Sequence, residues 1–163
     1  MITEYHFVKY YPEFMKHIKR HFPGSGITGS VFTGRFRNPR QVIDFAYDAI
    51  SSLYEGRQLI KIAKLDEIIG LSAVVPLLSI PKHVTVRRET RIKKRDAGRS
   101  PSYTVLVAYG MKRIPTRQMV IIAEPLPERK IHTFSTIHPG TYAPDFTDTD
   151  FWKNHVFINE RKR

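Results

Sequence analysis

The chain contains no cysteine among its 163 residues, which excludes disulfide scaffolds, thiolate metal sites and cysteine nucleophiles. Acidic residues are also scarce, with 15 Asp and Glu against 27 Lys and Arg. The resulting formal net charge of +12 favours a polyanionic partner such as nucleic acid through long-range attraction. A hydrophobic share of 41% nevertheless predicts a folded globule rather than a disordered basic tail.

Long apolar runs are missing as well. The longest mostly apolar stretch, residues 68–80, is too short for a membrane-spanning helix and contains Pro76. The first ten residues include Glu4 and no extended apolar run, so the sequence predicts no secretory signal. We therefore expect a cytoplasmic protein without a membrane partner.

Helix signals are concentrated in the N-terminal part. Residues 7–22 carry apolar side chains at helical spacing, and Pro12 favours a helix that begins near that position. A short helix is expected over residues 59–69, followed by a buried strand or turn around residues 73–80.

The clearest helix follows Asn38, which has the side chain of a helix N-cap. Pro39 then occupies the first helical position, and Gln41 is placed to complete a capping box. An apolar stripe continues to Leu53, and Gly56 is expected to end the helix.

Beyond Pro81 the pattern changes to strands. Four β-rich runs are predicted, at residues 84–93, 103–109, 118–124 and 130–137, with a further short strand at 155–158. The second and third runs are apolar on both faces and so are expected to be central. Turn signals at residues 96–98 and 110–116 predict antiparallel hairpins.

Together these signals predict a single α+β domain over residues 1–163. Residues 1–75 form its mainly helical part and residues 76–163 its mainly antiparallel sheet. We expect the N-terminal helices to pack on a C-terminal antiparallel β-meander of about four strands.

The first predicted strand carries a concentrated positive charge. Between Lys82 and Arg99 there are eight Lys or Arg residues and two acids, a net +6 that is half of the charge of the whole chain. Arg87, Glu89 and Arg91 alternate and so share one strand face. Cleavage of RNA without metal needs a base for the 2′-hydroxyl, cations for the phosphorane oxygens and an acid for the leaving oxygen. This strand supplies a candidate base and the cations.

The last predicted strand of the meander supplies candidate acids. His132, Thr136 and His138 follow one another by strand alternation, and a histidine titrates near neutrality. His83, just before the first strand, is a further acid or base candidate. His17 and His21 are placed at i and i+4 of a helix, but no third ligand is evident, so no metal site and no cofactor are expected.

Further cations and one aromatic side chain are candidate contacts to nucleic acid. They are Lys82, Arg88, Lys93, Lys94, Arg95, Arg99, Lys112, Arg113 and Tyr142.

A basic antiparallel meander with a late strand that bears histidines and hydroxyls resembles the small metal-independent ribonuclease toxins around barnase, EndoU, the tRNase colicins and RelE. The resemblance covers about residues 81–142, and it lies in architecture and residue chemistry rather than in a diagnostic motif. It implies an RNA substrate such as tRNA or mRNA and an acidic antitoxin or immunity protein as partner.

The sequence therefore predicts a cofactor-free endoribonuclease that cleaves by 2′-hydroxyl attack and leaves a 2′,3′-cyclic phosphate. Glu89 or one of His83 and His132 is the expected base, and the other histidine is the expected acid. One alternative is a non-catalytic nucleic-acid-binding protein of a mobile element, a regulator or an inhibitor. A weaker alternative is an ADP-ribosyltransferase that uses Arg87 or Arg88 with Ser135 and Thr136.

Overall fold

The computed structural model describes residues 5–23, 29–50, 56–92, 102–145 and 147–162. Its contacts divide the chain into two compact units. The first unit contains Met1–Ser72 and Pro115–Thr141, and the second contains Ala73–Ile114 and Tyr142–Arg163. No helix among the described residues is long and apolar enough to cross a membrane.

Eleven strands and three α-helices are found in the described part of the chain. In chain order they are β1 His6–Val8, α1 Pro12–Ile18, β2 Val31–Phe32, α2 Pro39–Ala49, β3 Leu59–Lys64, β4 Gly70–Ser72, β5 Val74–Pro76, β6 Thr85–Ile92, β7 Ser102–Tyr109, β8 Ile114–Thr116, β9 Gln118–Leu126, β10 Ile131–Pro139, α3 Thr149–Trp152 and β11 His155–Asn159.

The first unit contains a four-stranded sheet in the order β1-β10-β9-β3. β9 pairs antiparallel with both of its neighbours, whereas β1 is parallel to β10. The largest hydrophobic cluster combines this sheet with α1 and α2, and Ile18, Ile43 and Ile121 in it are fully buried. The strands β2, β4 and β8 form a separate three-stranded sheet.

The second unit contains the other four-stranded sheet, in the order β5-β11-β7-β6. β7 lies between β6, to which it is antiparallel, and β11, to which it is parallel. Val105, Val107 and Ala108 of β7 are buried. The sequence-based expectation that residues 103–109 and 118–124 form central strands is therefore confirmed.

Two predicted helix starts are confirmed, but the predicted end of the second helix is wrong, because α2 ends at Ala49, before Leu53 and Gly56. α1 begins at Pro12, as expected from a proline that suits the first turn. α2 begins at Pro39, and the Asn38 side chain accepts a hydrogen bond from the Gln41 N–H (3.1 Å). The Gln41 side chain in turn accepts from the N–H of Arg37 (2.7 Å), which completes the cap.

The predicted architecture is wrong. Strands account for 43% of the structure and helical turns for 22%, so the protein is mostly β, with three sheets and three short helices among the described residues. The part expected to be mainly helical, residues 1–75, holds β1 to β4. The N-terminal half thus contributes strands to the sheets instead of a helical layer packed on a meander.

The predicted architecture fails at two segments of the chain. Residues 59–69 were expected to be helical, but Leu59–Lys64 form β3, which pairs along its length with β9. Residues 110–116 were expected to form a hairpin between β7 and β9, but these two strands lie in different sheets. The single antiparallel meander is therefore interrupted at this point. The other predicted turn, residues 96–98, lies outside the described residues.

A glycine at the end of β10 is expected to be essential to the first unit. Gly140 has φ +101°, and a Cβ at this position would overlap the Ser72 side chain and lie 3.1 Å from the Ser72 Cα. We expect Gly140→Ala to lower the free energy of unfolding by about 2–5 kcal/mol, since left-handed strain of roughly 1–2 kcal/mol adds to an overpacking cost of about 1–3 kcal/mol. Urea denaturation measures the loss.

Gly56→Ala is the matched control. Gly56 also has a positive φ, +74°, but nothing lies within 4 Å of an added Cβ. This variant should lose only the strain of roughly 1–2 kcal/mol. Equal losses in the two variants would mean that the contact with Ser72 has no role.

Candidate functional site

The second unit contains an open pocket of about 280 Å³ beside the start of β6. Its chemically active lining residues are His83, Arg87, Tyr109 and Lys162, and we refer to it as the His83 pocket. Alternation along β6 places Thr85 and Arg87 on one strand face, and Thr85 is the cross-strand partner of Tyr109. An imidazole, a guanidinium, a phenol and an ammonium thus line one concave surface.

Gly110 allows the C-terminal segment to contribute to this pocket. Its N–H donates to the carbonyl oxygens of Asn159 (2.9 Å) and Arg161 (3.0 Å), which holds the residues after β11 against the end of β7. Gly110 has φ +77°, and a Cβ there would lie 3.2 Å from Cγ of Lys162. A glycine at this turn therefore permits the close approach that brings Lys162 to the pocket.

Glu89 lies next to the pocket on the same face of β6. Its carboxylate accepts a hydrogen bond from the Tyr109 hydroxyl, and its other oxygen lies 4.0 Å from a guanidinium nitrogen of Arg91. The Arg91 guanidinium also lies over the Phe157 ring, 5.6 Å from its centroid. Arg87, Glu89 and Arg91 therefore share a strand face as predicted, and Tyr109 links Glu89 to the pocket.

The cations predicted around this face have different environments. Lys82, Arg88 and Lys112 are exposed, and Tyr142 is half-buried. Arg113 instead forms a salt bridge with Glu160 (3.4 Å), whose carboxylate also accepts from the Arg113 backbone N–H. The remaining predicted contacts, Lys93, Lys94, Arg95 and Arg99, lie outside the described residues.

The predicted residues of the late strand are not on this sheet. His132, Thr136 and His138 belong to β10 in the first unit, whereas β6 belongs to the second. His132 is only 3% exposed, and its ring centroid lies 5.0 Å from that of Tyr5. A buried imidazole cannot reach a polymeric substrate, so His132 does not form part of the site that we propose.

His138 of β10 belongs to a group of three histidines in the first unit, which we call the histidine cluster, and Thr136 of the same strand lies beside it. His17, His21 and His138 form it, with ring centroids 5.6 Å apart for His17 and His21 and 5.7 Å apart for His21 and His138. Nε2 of His17 lies 3.1 Å from the Thr136 hydroxyl. Nδ1 of His21 donates to the carbonyl oxygen of Ser30 (2.9 Å).

The i, i+4 spacing of His17 and His21 indicated a pair of neighbouring imidazoles, but it did not reveal the third member. His138 reaches the pair through the fold, since α1 and the 3-10 turn after it lie beside β10. Despite this arrangement, no group of His, Asp or Glu in the described ranges is placed to hold a metal ion.

Burial keeps the histidine cluster neutral. Desolvation is the main cause that lowers the pKa of His21 to about 4, against a smaller opposing effect of the Ser30 hydrogen bond. Burial, followed by the positive charge of Arg20, lowers the pKa of His17 below its usual range. Burial also lowers the pKa of His138, although its hydrogen bond to the Pro139 carbonyl acts in the opposite direction.

Comparison with known proteins gives no guide to the function. No family model matches the chain, and searches of curated proteins and of solved structures returned no match either.

The histidine cluster predicts a loss of stability in weak acid. His21 titrates near its ordinary value of 6.5 when unfolded and at about 4 when folded, so below pH 6.5 the unfolded chain binds more protons. Stability is thus fully present above pH 6.5 and falls as the pH is lowered towards 4. A shift of this size corresponds to about 3 kcal/mol, and urea denaturation at pH 7, 5.5 and 4.5 measures the decline.

His21→Asn isolates the effect, because its amide can donate to Ser30 in place of Nδ1. This variant should decline less steeply with falling pH than the parent chain. His6→Asn, at an exposed position of β1, should keep the parental slope. A parental slope in His21→Asn would contradict the assignment.

Proposed function

We propose that the protein is a metal-independent endoribonuclease whose active site is the His83 pocket. The observation that carries this proposal is that His83, Arg87, Tyr109 and Lys162 line one open pocket, with Glu89 bonded to Tyr109. Acid, base and phosphate-binding groups are thereby available on one unit, and the net charge of +12 favours a polyanionic substrate.

The geometry supports a specific division of roles. The 2′-hydroxyl of the substrate transfers its proton to the Tyr109 oxygen while the Tyr109 proton passes to Glu89, and the 2′-oxygen attacks phosphorus. Arg87 and Lys162 stabilise the negative charge of the phosphorane oxygens. Protonated His83 donates its proton to the departing 5′-oxygen, so the products are a 2′,3′-cyclic phosphate and a free 5′-hydroxyl.

The proposal retains the partners expected from the sequence. Exposed Lys82 and Lys112 provide further cations for phosphate, and exposed Arg88, on the opposite face of β6 from Arg87, is available to a strand that crosses the sheet edge. A basic ribonuclease in the cytoplasm needs to be neutralised, and an acidic antitoxin or immunity protein that covers the same cations would serve that purpose.

A second candidate function is binding of nucleic acid without cleavage. Two observations favour it: the lining of the His83 pocket includes one imidazole, and Glu89 is already engaged by Tyr109 and Arg91. The lining of the His83 pocket includes neither Ser135 nor Thr136 among the described residues, so it gives no support to the ADP-ribosyltransferase alternative.

Removal of the His83 imidazole should abolish cleavage but spare binding. We expect the purified chain to cut tRNA or mRNA in EDTA, and His83→Ala to reduce the rate by about 100-fold or more, the range typical of a general acid. Gel analysis of end-labelled RNA measures the rate, and acid treatment of the product reveals the cyclic phosphate. Arg117→Ala, which removes an exposed arginine of the first unit, is the matched control and should cut at the parental rate.

The outcomes separate the two candidates. Cleavage that requires Mg²⁺, or a His83→Ala rate equal to that of the control, would refute the mechanism. If RNA remains intact but is bound with an affinity that falls steeply with salt, the protein is the binding protein instead. In that case Arg87→Ala should make the salt dependence shallower by about one phosphate contact.

A further inference from the structure

A second pocket, of about 190 Å³, lies in the same unit between β7 and α3. Arg88, Thr104 and Leu106 line one side of it, and Thr149, Trp152 and Lys153 line the other. We call it the Arg88 pocket.

Neighbouring residues of β6 line the Arg88 pocket and the His83 pocket. Arg87 and Arg88 are consecutive in the strand, so their side chains leave it on opposite faces. Arg88 is the cross-strand partner of Leu106, which places these two residues on the same face. β6 is also the outermost strand of its sheet in the described part of the chain. A polymer that crosses this edge can therefore contact both pockets.

The wall formed by α3 is firmly anchored. The Trp152 ring stacks on Phe157 with centroids 4.8 Å apart, and its Nε1 donates to the carbonyl oxygens of Pro144 and Asp145, both at 3.2 Å. Asp148 accepts from the N–H of Phe151 and so caps the short helix. Trp152 itself is only 4% exposed. The shape of the pocket is thus preorganised and does not depend on a flexible loop.

The lining determines the kind of ligand that fits. Leu106 and Trp152 supply apolar surface, whereas Arg88 and Lys153 supply hydrogen-bond donors without acceptors. Among the described residues, the lining also includes the hydroxyls of Thr104 and Thr149 but no carboxylate or amide side chain. A flat ligand that presents acceptors is therefore favoured over one that presents amino groups.

The size of the pocket limits the ligand to a single ring system. Sites for drug-sized ligands typically measure about 300–1,000 Å³, so about 190 Å³ accommodates a nucleobase and not a whole nucleotide. Apolar walls suit the faces of such a base, and an arginine fork suits its acceptor edge.

From these observations we infer that the Arg88 pocket is a base-binding subsite that selects keto bases, uracil or guanine, over amino bases. This inference rests on the proposed function in one respect, namely that the ligand is an RNA strand that crosses the edge of β6. The base would enter with its carbonyl oxygen directed at Arg88, while the same RNA strand crosses the edge of β6 towards the His83 pocket. Cytosine presents an amino group where uracil presents a carbonyl, so it cannot accept a hydrogen bond from the Arg88 fork at that position, and among the described lining side chains only the threonine hydroxyls can accept from it.

The test compares two ligands that differ at this edge. Short fluorescent oligouridylate and oligocytidylate with 2′-O-methyl groups cannot be cleaved by 2′-hydroxyl attack, so their dissociation constants can be measured by anisotropy with the intact chain. We expect uridylate to bind about tenfold more tightly than cytidylate. Arg88→Ala should reduce this ratio to about one.

Arg88→Lys separates base recognition from charge. It keeps the cation but lacks the planar fork, so overall affinity should be largely retained while the preference for uridylate is lost. Arg117→Ala should keep both affinity and preference.

Each outcome has a distinct meaning. Equal binding of the two oligonucleotides by the parent chain, or a preference that survives in Arg88→Ala, would overturn the base subsite and leave the RNA proposal standing. Failure to bind either oligonucleotide would refute the RNA-binding function and the subsite with it.

Discussion

The burial of two central strands is the constraint on which the rest of the structure depends. β9 and β7 are apolar on both faces, and a strand of this kind is stable only when neighbouring strands pair with both of its edges. β9 obtains its partners from β3 and β10, and β7 obtains its partners from β6 and β11. The chain therefore completes two separate sheets around these strands instead of one meander.

This arrangement also determines which chemistry is available at the His83 pocket. β11 runs parallel to β7, and the residues after it bond to Gly110 at the end of that strand. Lys162 and His83 line the same pocket for this reason, although 79 positions in the sequence separate them and no local pattern indicated that they would. Tyr109 has a similar role, because its position opposite Thr85 brings its hydroxyl to Glu89.

The sequence was informative where a local interaction determines the structure. The cap formed by Asn38 and Gln41 requires only residues within one turn, and the start of α2 was predicted correctly. The shared face of Arg87, Glu89 and Arg91 follows from strand alternation and was predicted correctly as well. The sequence does not identify β3 as a strand, because lysine occurs on both of its faces, at Lys61 and Lys64, and the pattern therefore has no clear period of two. Its pairing with β9, about 60 residues away in the sequence, decides that it is a strand.

The histidines show why residue type alone could not identify the site. Sequence patterns treated His83, His132 and His138 alike, as imidazoles near a strand, but their chemistry depends on their solvation. His132 is almost completely buried, and burial lowers the pKa of His138, which favours its neutral form.

His83 is exposed and lines a pocket together with Arg87, so its ring is accessible to solvent and, in the function that we propose, to an RNA phosphate. A general acid has to come within hydrogen-bond distance of the leaving oxygen of its substrate, and an exposed side chain can do so. His132, the best shielded of the three, lies in the interior of the first unit. His83 is the one histidine of the predicted set that lies exposed in the second unit, which is why we assign the proposed acid role to it.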